Sequence, residues 1–255
     1  MSAIHVEVFG QGQPLIMLHG WAMHSGVWED FGLLLAEHFQ VILVDLPGHG
    51  LSAAIEPFEL ESIVDAVLPI LPEEQVIVLG WSLGATVALA MAQRVPERVK
   101  HLIMLAGNPQ FIQTDDWPGV KTEILDAFAE LLKTGVQQTL IRFLALQVNG
   151  LAHGKALLQT LKLAVQARPA PTEVVLQAGL EILKNADLRD FMSSDLVPIS
   201  VILGGKDTLI PPACGQAIQS LNSRIDLQIL DSAGHAAFLS HPEQLISIIN
   251  RIHHG

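Results

Sequence analysis

The sequence has few of the residues on which several large classes of protein depend. Only one of its 255 residues, Cys214, is a cysteine, which excludes an internal disulfide and a cysteine-rich zinc site. Tyrosine is absent, so no mechanism that uses a phenol applies. No lysine or arginine precedes Arg94, and we therefore expect neither a secretory signal nor a transit peptide. A cytoplasmic location is expected, since a single cysteine fits a reducing compartment.

Positive charge and long apolar runs are also scarce. The formal net charge is −12 and the pI about 5.2, which argues against a nucleic-acid partner. No uninterrupted apolar run approaches the roughly 18 residues of a membrane span, so no membrane partner is expected. Half of the residues are hydrophobic and 16% are charged, which is typical of a folded globular chain. We expect a monomer.

Short apolar runs alternate with amphipathic segments along most of the chain. Runs that are apolar at nearly every position are typical of strands covered on both faces. We predict strands at about 15–18, 41–44, 75–79, 102–105, 199–203 and 227–230. Helices are predicted at about 27–38, 60–71, 83–95, 212–221 and 242–253. The alternation indicates the α/β fold class, with a mostly parallel central sheet and helices on both faces.

The alternation stops after Gly107 and resumes near Pro198. The intervening residues carry helical patterns but no convincing strand, and these patterns lie at about 119–133, 137–148, 154–167 and 172–184. We interpret them as a helical cap inserted late in the chain. The cap is placed at 112–185 and the core at 1–111 and 186–255, as one compact unit.

A Gly-Trp-Ser-Leu-Gly motif at 80–84 lies between a predicted strand and a predicted helix. Gly-x-Ser-x-Gly in this context is typical of a nucleophile elbow, a sharp turn that exposes the serine hydroxyl. Ser82 is therefore the predicted nucleophile. The backbone N–H of Leu83 would lie at the helix N-terminus, where it stabilises an oxyanion. The second oxyanion donor is expected from Trp21, in the loop after the first strong strand.

A serine nucleophile needs a base, and the base needs an acid that orients it. His235 follows the last predicted strand, and sheets of this kind place catalytic loops at the carboxyl ends of strands. Asp207 follows the preceding strand and is the predicted acid, with Asp231 as its rival. The chain order Ser82, Asp207, His235 is that of α/β-hydrolases. His19 is interpreted as a histidine that orders its loop.

Motifs for metals and cofactors do not stand out. The sequence has no His-Glu-x-x-His spacing, and no glycine-rich dinucleotide or phosphate loop with the right flanks. We therefore predict no metal site and no cofactor.

Taken together, these features resemble the α/β-hydrolase family over nearly the whole chain. The matching pieces are His-Gly-Trp at 19–21, Asp-Leu-Pro-Gly-His-Gly at 45–50 with Ser52, the motif at 80–84, Asp207, and Gly-His at 234–235. The resemblance implies the α/β-hydrolase fold. The implied mechanism transfers an acyl group to the serine and releases it with water.

Longer stretches are similar to one family within that group, the pimeloyl-acyl-carrier-protein methyl ester esterases of biotin synthesis. They lie at 19–28, 79–84, 116–119, 142–147 and 179–184. The stretches at 142–147 and 179–184 lie in the cap, where hydrolases of this fold differ most. Cap matches therefore discriminate between families better than the elbow does.

The resemblance implies hydrolysis of the methyl ester on a pimeloyl chain that acyl carrier protein holds. The residues it implies for substrate binding are Trp21, Ser82, Leu83, Phe143, Leu144, Ala145, Leu146, Gln147 and His235. Arg142 and Lys155 are the implied contacts with the acidic carrier. Gln138 and Gln159 stand where further arginines would be expected, which leaves fewer cap cations for the carrier.

A cluster of positive charge independently favours an acidic partner. Residues 131–172 contain no Asp or Glu and five cations, Lys133, Arg142, Lys155, Lys162 and Arg168. A protein with a net charge of −12 repels an acidic carrier unless a local positive patch attracts it. The alternative is that these five cations are only a solvated helix surface.

Other functions of the same fold remain as alternatives. A broad carboxylesterase or a carbon–carbon bond hydrolase would use the same triad, and only the cap and its substrates separate them. Ser82 argues against epoxide hydrolases and haloalkane dehalogenases, which need a carboxylate at the elbow. The complete triad argues against a non-catalytic receptor, and the lack of an anchor segment argues against an interfacial lipase.

Overall fold

A seven-stranded sheet runs through the described part of the protein, which in this computed structural model comprises residues 4–254. Its strands are β1 Val6–Phe9, β2 Gln13–Leu18, β3 Phe39–Val44, β4 Val76–Trp81, β5 Val99–Leu105, β6 Ile199–Gly204 and β7 Asp226–Leu230. Their order across the sheet is β1-β3-β2-β4-β5-β6-β7. The edge strand β1 is antiparallel to β3, and the remaining pairs are parallel.

The central strands are apolar at nearly every position because both of their faces are covered. β4 and β6 are buried along their whole length, and β2 is buried from Pro14 onward. Because β2 and β4 to β7 run parallel, their carboxyl ends meet at one edge of the sheet. The loops after β2, β4, β6 and β7 therefore come together at that edge, where ligands bind in open α/β sheets.

Helices within residues 4–254 flank the sheet and fill the long connection after β5. They are α1 Glu29–Leu35, α2 Leu60–Val67, α3 Leu83–Arg94, α4 Thr122–Thr134, α5 Val136–Gln147, α6 Gly154–Gln166, α7 Glu173–Asn185, α8 Arg189–Met192, α9 Ala213–Leu221, α10 Ala237–Ser240 and α11 Pro242–His254. α3 packs on β2, β4 and β5 beside α2, whereas α1 packs on β3 and against α11. These two groups cover different parts of the sheet.

The long connection between β5 and β6 carries α4 to α8. α4 packs against α5 and α7, α5 packs against α6, and α7 reaches α3 of the core. α6 packs against the 3-10 turn Ser25–Trp28, which follows β2. An isolated antiparallel bridge between Gln110 and Asp187 joins the two chain segments that flank residues 112–185. We call residues 112–185 the cap.

The predicted elements agree with the structure except for short ones. The α/β fold class and the mostly parallel sheet are confirmed, and the structure contains each predicted strand and helix with small shifts at the ends. The predictions omitted β1, α8 and α10. β1 has four residues and is only half-buried at the sheet edge, so it lacks the apolar run that marks the central strands. The outermost predicted core boundaries, at 1 and 255, lie outside the described residues.

Within residues 4–254, no helix is long and apolar enough to cross a membrane.

Candidate active site

Ser82 lies at the turn that joins β4 to α3. Its backbone has φ 57° and ψ −118°, a positive φ that a residue with a side chain adopts only when its surroundings enforce it. The flanking glycines permit the turn because there is no space for side chains. A Cβ on Gly80 would lie 2.2 Å from the carbonyl oxygen of Gly84, and one on Gly84 would lie 2.3 Å from that of Leu18. Ser82 is 4% exposed.

Asp207 and His235 form a buried pair at the same edge of the sheet. Asp207 follows β6, and His235 follows β7. The Nδ1 atom of His235 lies 2.7 Å from Oδ2 of Asp207, and neither side chain is exposed. Asp207 Oδ1 accepts hydrogen bonds from the backbone N–H groups of Leu209 and Ile210, at 2.7 and 3.0 Å, which hold the carboxylate in place. The rival acid, Asp231, is exposed to solvent.

The Asp207 contact determines which nitrogen of His235 is basic. A carboxylate only accepts hydrogen bonds, so Nδ1 of the neutral ring carries the proton and Nε2 keeps its lone pair. The Nε2 atom is buried and has no hydrogen-bond partner among the described residues, Ser82 included. In catalytic sites without substrate, the bond between nucleophile and base is often not yet formed.

Trp81 joins the elbow to the histidine loop. Its indole Nε1–H donates to the backbone carbonyl of His235 at 2.9 Å, and the two ring centroids lie 5.7 Å apart. Because Ser82 is the next residue after Trp81, this bond holds the serine segment against the base segment. This role of Trp81 was not predictable from the sequence, because neither spacing nor composition shows where an indole N–H points.

Two backbone N–H groups are available beside the elbow. Leu83 is the first residue of α3, so its N–H has no intrahelical acceptor. The backbone N–H of Trp21 likewise donates to no acceptor within residues 4–254. A Cβ on Gly20 would lie 3.3 Å from Cβ of Ser82, which places the loop that carries Trp21 directly against the serine. Both predicted oxyanion donors therefore belong to segments that flank Ser82.

The Trp21 side chain contacts the cap. Its Nε1–H donates to the carbonyl of Leu176 in α7 at 2.9 Å. Its ring packs edge-on against Phe143 of α5 at 4.7 Å and against Phe128 of α4 at 6.4 Å. Three aromatic rings from the core loop and two cap helices thus form an apolar wall near the elbow. Phe128 was not predicted from the sequence, because α4 is amphipathic and a phenylalanine on its buried face is typical of ordinary packing.

The predicted acyl-binding stretch, residues 143–147, is divided by its helix into two faces. Phe143, Leu144 and Gln147 are buried, Leu146 is half-buried, and Ala145 is exposed on the opposite face. The structure therefore does not bring Ala145 into the buried group. The Gln147 carbonyl accepts from the N–H of Ala236 at 3.4 Å, next to His235, so the end of α5 contacts the histidine loop.

The five cations of residues 131–172 do not form one free patch. Arg168 is 14% exposed and bonds inward to Ser25 Oγ at 2.7 Å, to Asp45 Oδ2 at 3.0 Å and to Glu7. Lys133 pairs with Glu130 of its own helix. Arg142 and Lys155 are exposed and have no ion-pair partner in the described part of the chain. The patch prediction is wrong for Arg168, which links the cap to the core.

A buried group of polar residues lies beneath the Trp21 loop. His19 places Nδ1 2.9 Å from the carbonyl of Gly20 and accepts the N–H of Leu46 through Nε2, as predicted for a loop-ordering histidine. Burial and the neighbouring His49 lower the pKa of His19 to about 3. Burial raises the pKa of Asp45, but hydrogen bonds from the backbone N–H groups of Leu51 and Ser25 outweigh it and lower the value to about 2.

The geometry at this edge has the parts of a serine hydrolase site. A strained serine lies at a strand-to-helix turn, beside a buried Asp–His pair and two N–H groups without acceptors. The family profile described as alpha/beta hydrolase fold matches residues 13–242. The chain therefore belongs to the α/β-hydrolase family. No group of three or more His, Cys, Asp or Glu residues within 4–254 is arranged to hold a metal ion.

Solved structures and curated relatives agree with this assignment. An esterase from Exiguobacterium antarcticum superposes with a TM-score of 0.88 at 25% identity, over 99% of this chain and 96% of its own. A pimeloyl-acyl-carrier-protein methyl ester esterase from Nitrosomonas europaea is 39% identical over 99% of this chain and 100% of its own length. One from Aeromonas hydrophila is 39% identical over 97% of this chain and 98% of its own. Within the α/β-hydrolases, the chain belongs to the pimeloyl-acyl-carrier-protein methyl ester esterase family.

Proposed function

We propose that this protein is a serine esterase that hydrolyses the methyl ester of pimeloyl-acyl-carrier protein, releasing methanol. The observation that supports the chemistry best is the buried 2.7 Å bond between His235 and Asp207, which leaves Nε2 as a base beside the elbow of Ser82. The activity for which these relatives are named supports the substrate, since the similarity extends over nearly the whole chain.

The proposed mechanism uses the three side chains in sequence. Ser82 Oγ attacks the ester carbonyl while Nε2 of His235 takes its proton, and Asp207 stabilises the imidazolium that forms. The N–H groups of Trp21 and Leu83 hold the developing oxyanion. The imidazolium then protonates the departing methoxide, and methanol leaves. A water molecule, deprotonated by His235, attacks the acyl-enzyme. The bond to Ser82 Oγ then breaks, His235 returns the proton to that oxygen, and the free carboxylate leaves.

The buried aromatic wall is proposed to receive the methylene chain of the acyl group. Trp21, Phe128 and Phe143 pack edge-on against one another and offer apolar surface, as small-molecule sites commonly do. Leu144 and Gln147 lie on the same buried side of α5. Ser82 is 4% exposed and His235 1%. Because both residues are covered in the structure, we propose that the substrate enters between the cap and the core.

Arg142 and Lys155 are proposed to contact the acidic carrier. Both are exposed and lack an internal ion-pair partner among residues 4–254, so their charge is available to another molecule. Arg168 and Lys133 have internal partners and are not part of this surface. A local positive site on a protein of net charge −12 acts mainly on the rate and selectivity of encounter, and salt screens it.

A paired assay tests both parts of the proposal. The wild type and Ser82→Ala receive pimeloyl methyl ester on acyl carrier protein and the same acyl group on a small thiol, at low and high salt. Release of the carboxylate is followed. We expect Ser82→Ala to lose up to about 10⁶-fold in kcat with both substrates while keeping its circular dichroism spectrum. Ser247→Ala, at an exposed serine of α11, is the matched control and should stay fully active.

The carrier contact is tested by the substrate preference. The wild type should prefer the carrier-bound substrate at low salt, and salt should remove the preference. Arg142→Gln with Lys155→Gln should reduce the preference and leave the small-thiol rate unchanged, whereas Arg94→Gln on α3 should change neither. If the two substrates are hydrolysed at the same rate at every salt concentration, the proposed esterase mechanism is retained but the proposed carrier contact is wrong. If Ser82→Ala keeps wild-type rates, the mechanism is wrong.

A further inference from the structure

A second polar cleft lies at the opposite edge of the sheet from Ser82. It is formed where β5, β6 and β7 begin and where α11 ends, and its volume is about 820 Å³. Small-molecule sites commonly have volumes of about 300 to 1,000 Å³. The residues that line the cleft are Lys100, His101, Pro198, Ser200, Asp226, Gln228, Arg251, Ile252 and His253. None of them belongs to the site proposed for ester hydrolysis.

The charge of this cleft differs from that of the whole protein. Lys100 and Arg251 are the basic residues among those that line the cleft, and Asp226 is the one carboxylate among them. Both oxygens of Asp226 already accept hydrogen bonds, from Ser200 Oγ at 3.3 Å and from Gln228 Nε2 at 2.6 Å. Arg251 has no ion-pair partner among the described residues, and Lys100 donates one of its three N–H bonds to Gln13. The cleft therefore presents net positive charge within a protein of net charge −12.

A chain of hydrogen bonds leads from the cleft into the sheet. His101 Nε2 lies 2.9 Å from the hydroxyl of Ser200, and the same hydroxyl lies 3.3 Å from Asp226. The carboxylate touches the serine and not the imidazole, so this trio differs from the Asp–His pair of the esterase site and does not orient a base toward a nucleophile. Ser200 is fully buried, so its hydroxyl connects His101 to Asp226 by hydrogen bonds and does not act as a nucleophile.

These hydrogen bonds can all form when His101 is protonated on both ring nitrogens. His101 would donate through Nε2–H to Ser200, and Ser200 would donate its hydroxyl proton to Asp226. The Nδ1 atom of His101 has no hydrogen-bond partner within residues 4–254 and would carry the second N–H. An anion held by Lys100 and Arg251 would accept that bond.

We infer that this cleft binds a small multivalent oxyanion, such as a phosphorylated or polycarboxylated metabolite, through Lys100, Arg251 and the Nδ1–H of His101. Two cations and a protonated His101 match a ligand of two or more negative charges, and the Asp226 carboxylate is already engaged by Ser200 and Gln228. The bound anion favours protonated His101, so binding takes up a proton and tightens as the pH falls.

Geometry and electrostatics agree on the direction of this pH dependence. In the free protein, burial is the main cause that lowers the pKa of His101, Asp226 opposes it and Lys100 adds to it, and the resulting pKa is about 4. The ring is therefore neutral near pH 7 without a ligand. The other groups that face the cleft are Arg251 and His253, and an anion between them and His101 stabilises the imidazolium.

Titration calorimetry on the full chain tests the site. Pyrophosphate and tricarballylate are added at constant ionic strength, and whichever binds more tightly identifies phosphate or carboxylate as the ligand group. We expect saturable binding that Lys100→Gln and Arg251→Gln each weaken about tenfold, since each removes a charge-assisted hydrogen bond. Arg224→Gln removes an exposed cation that pairs with Asp195 and does not line the cleft, so it is the matched control and should bind as the wild type does.

Nuclear magnetic resonance of the His101 ring tests the proton uptake. Sulfate is the probe because its charge stays constant between pH 5 and 8. We expect the ring resonance of His101 to titrate at a higher pH with sulfate than without it, and sulfate to bind more tightly at lower pH. Ester hydrolysis by Lys100→Gln and Arg251→Gln should equal the wild type, which confirms folding. The inference is overturned if none of the three anions binds saturably, or if both variants bind the anions as tightly as the wild type. It is also overturned if sulfate does not change the pH at which the His101 ring titrates.

Discussion

The two carboxylate oxygens of Asp207 have separate partners. Oδ1 is held by two backbone N–H groups of its own loop, and Oδ2 is left for His235. The acid is therefore positioned before it meets the imidazole, and the pair is buried, where electrostatic interactions are strongest. Asp231 begins the turn after β7 and is exposed to solvent, so it does not give the imidazole a buried carboxylate of fixed position.

Replacing Asp207 tests this arrangement at the scale of one residue. Asp207→Asn places an N–H donor where Oδ2 was, which favours the tautomer of His235 with its proton on Nε2 and removes the base. We expect kcat to fall by about 10⁴-fold, as for equivalent changes in serine proteases. Asp231→Asn is the control and should retain full activity. A larger loss for Asp231→Asn than for Asp207→Asn would assign the acid to Asp231.

The cap helices contact the core where functional groups lie. α7 accepts the indole N–H of Trp21, the end of α5 bonds to the segment after His235, and the turn after α6 carries Arg168 into the core. A second bond in the same region runs from His24 of the core to the carbonyl of Val165 in α6. The cap is thus connected to the segments that carry the base and an oxyanion donor, so cap position and catalytic geometry depend on each other.

Arg168 is the strongest of these connections because its partner Asp45 is completely buried. Arg168→Met keeps much of the side-chain volume but leaves the Asp45 charge without its partner. We expect the free energy of unfolding to fall by about 3 kcal/mol or more, as is usual when one member of a buried pair is removed. Lys133→Met breaks an exposed pair with Glu130 and should cost less than about 1 kcal/mol.

Urea unfolding of the two variants measures the difference. Similar losses in Lys133→Met and Arg168→Met would contradict an anchoring role for Arg168.

Gly179 of α7 lies against the ring of Trp21. A Cβ at this position would lie 2.7 Å from Cδ1 and 3.0 Å from Nε1 of Trp21, so either α7 or the indole must move. We expect Gly179→Ala to lower kcat/KM for a small ester, and to cost about 1 to 3 kcal/mol of stability through overpacking. Gly135→Ala, between α4 and α5, adds its Cβ in open space and should change neither.

Enzyme kinetics and thermal unfolding of Gly179→Ala and Gly135→Ala separate the two effects. An unchanged kcat/KM in Gly179→Ala would mean that the Trp21 ring does not influence the reaction.

At the scale of the whole molecule, we expect buried histidines to make the folded state less stable in acid. Burial lowers the pKa of His19 to about 3 and that of His49 to about 4, both from 6.5. The unfolded chain therefore binds more protons than the folded one below about pH 6.5, and stability falls as the pH decreases from there. Protonation of Asp45, whose pKa is lowered from 3.8 to about 2, adds to the loss at still lower pH.

We expect stability to fall by about 1.4 kcal/mol per pH unit for each such histidine between about pH 6 and pH 4. Urea unfolding at about pH 7 and about pH 5 measures this difference. His49→Asn keeps a donor for the carbonyl of Pro47 but does not titrate, so its pH difference should be smaller. His38→Asn, at an exposed histidine, should leave the wild-type difference intact. Equal differences in all three proteins would assign the acid sensitivity to other groups.

Much of the architecture was predictable because burial leaves a pattern along the chain. The runs that form β2, β4 and β6 are apolar throughout, and the glycines around Ser82 mark a turn that no other residues permit. Short elements at the edge were not predictable. β1 has no buried residue and exposes Val8, and its pairing with β3 depends on a partner some thirty-five residues later in the chain.

The chain order of the site residues and the alternation of strands and helices were enough to predict the fold class, Ser82, Asp207 and His235 as candidates, and the family. These depend on local chemistry: which residues tolerate a sharp turn, and which apolar runs must be buried. Only the tertiary structure decided that Asp207 and not Asp231 meets His235, and that Ala145 faces solvent. It also decided that Arg168 serves the cap–core contact and not the surface, because burial and ion pairing depend on segments that are distant in sequence.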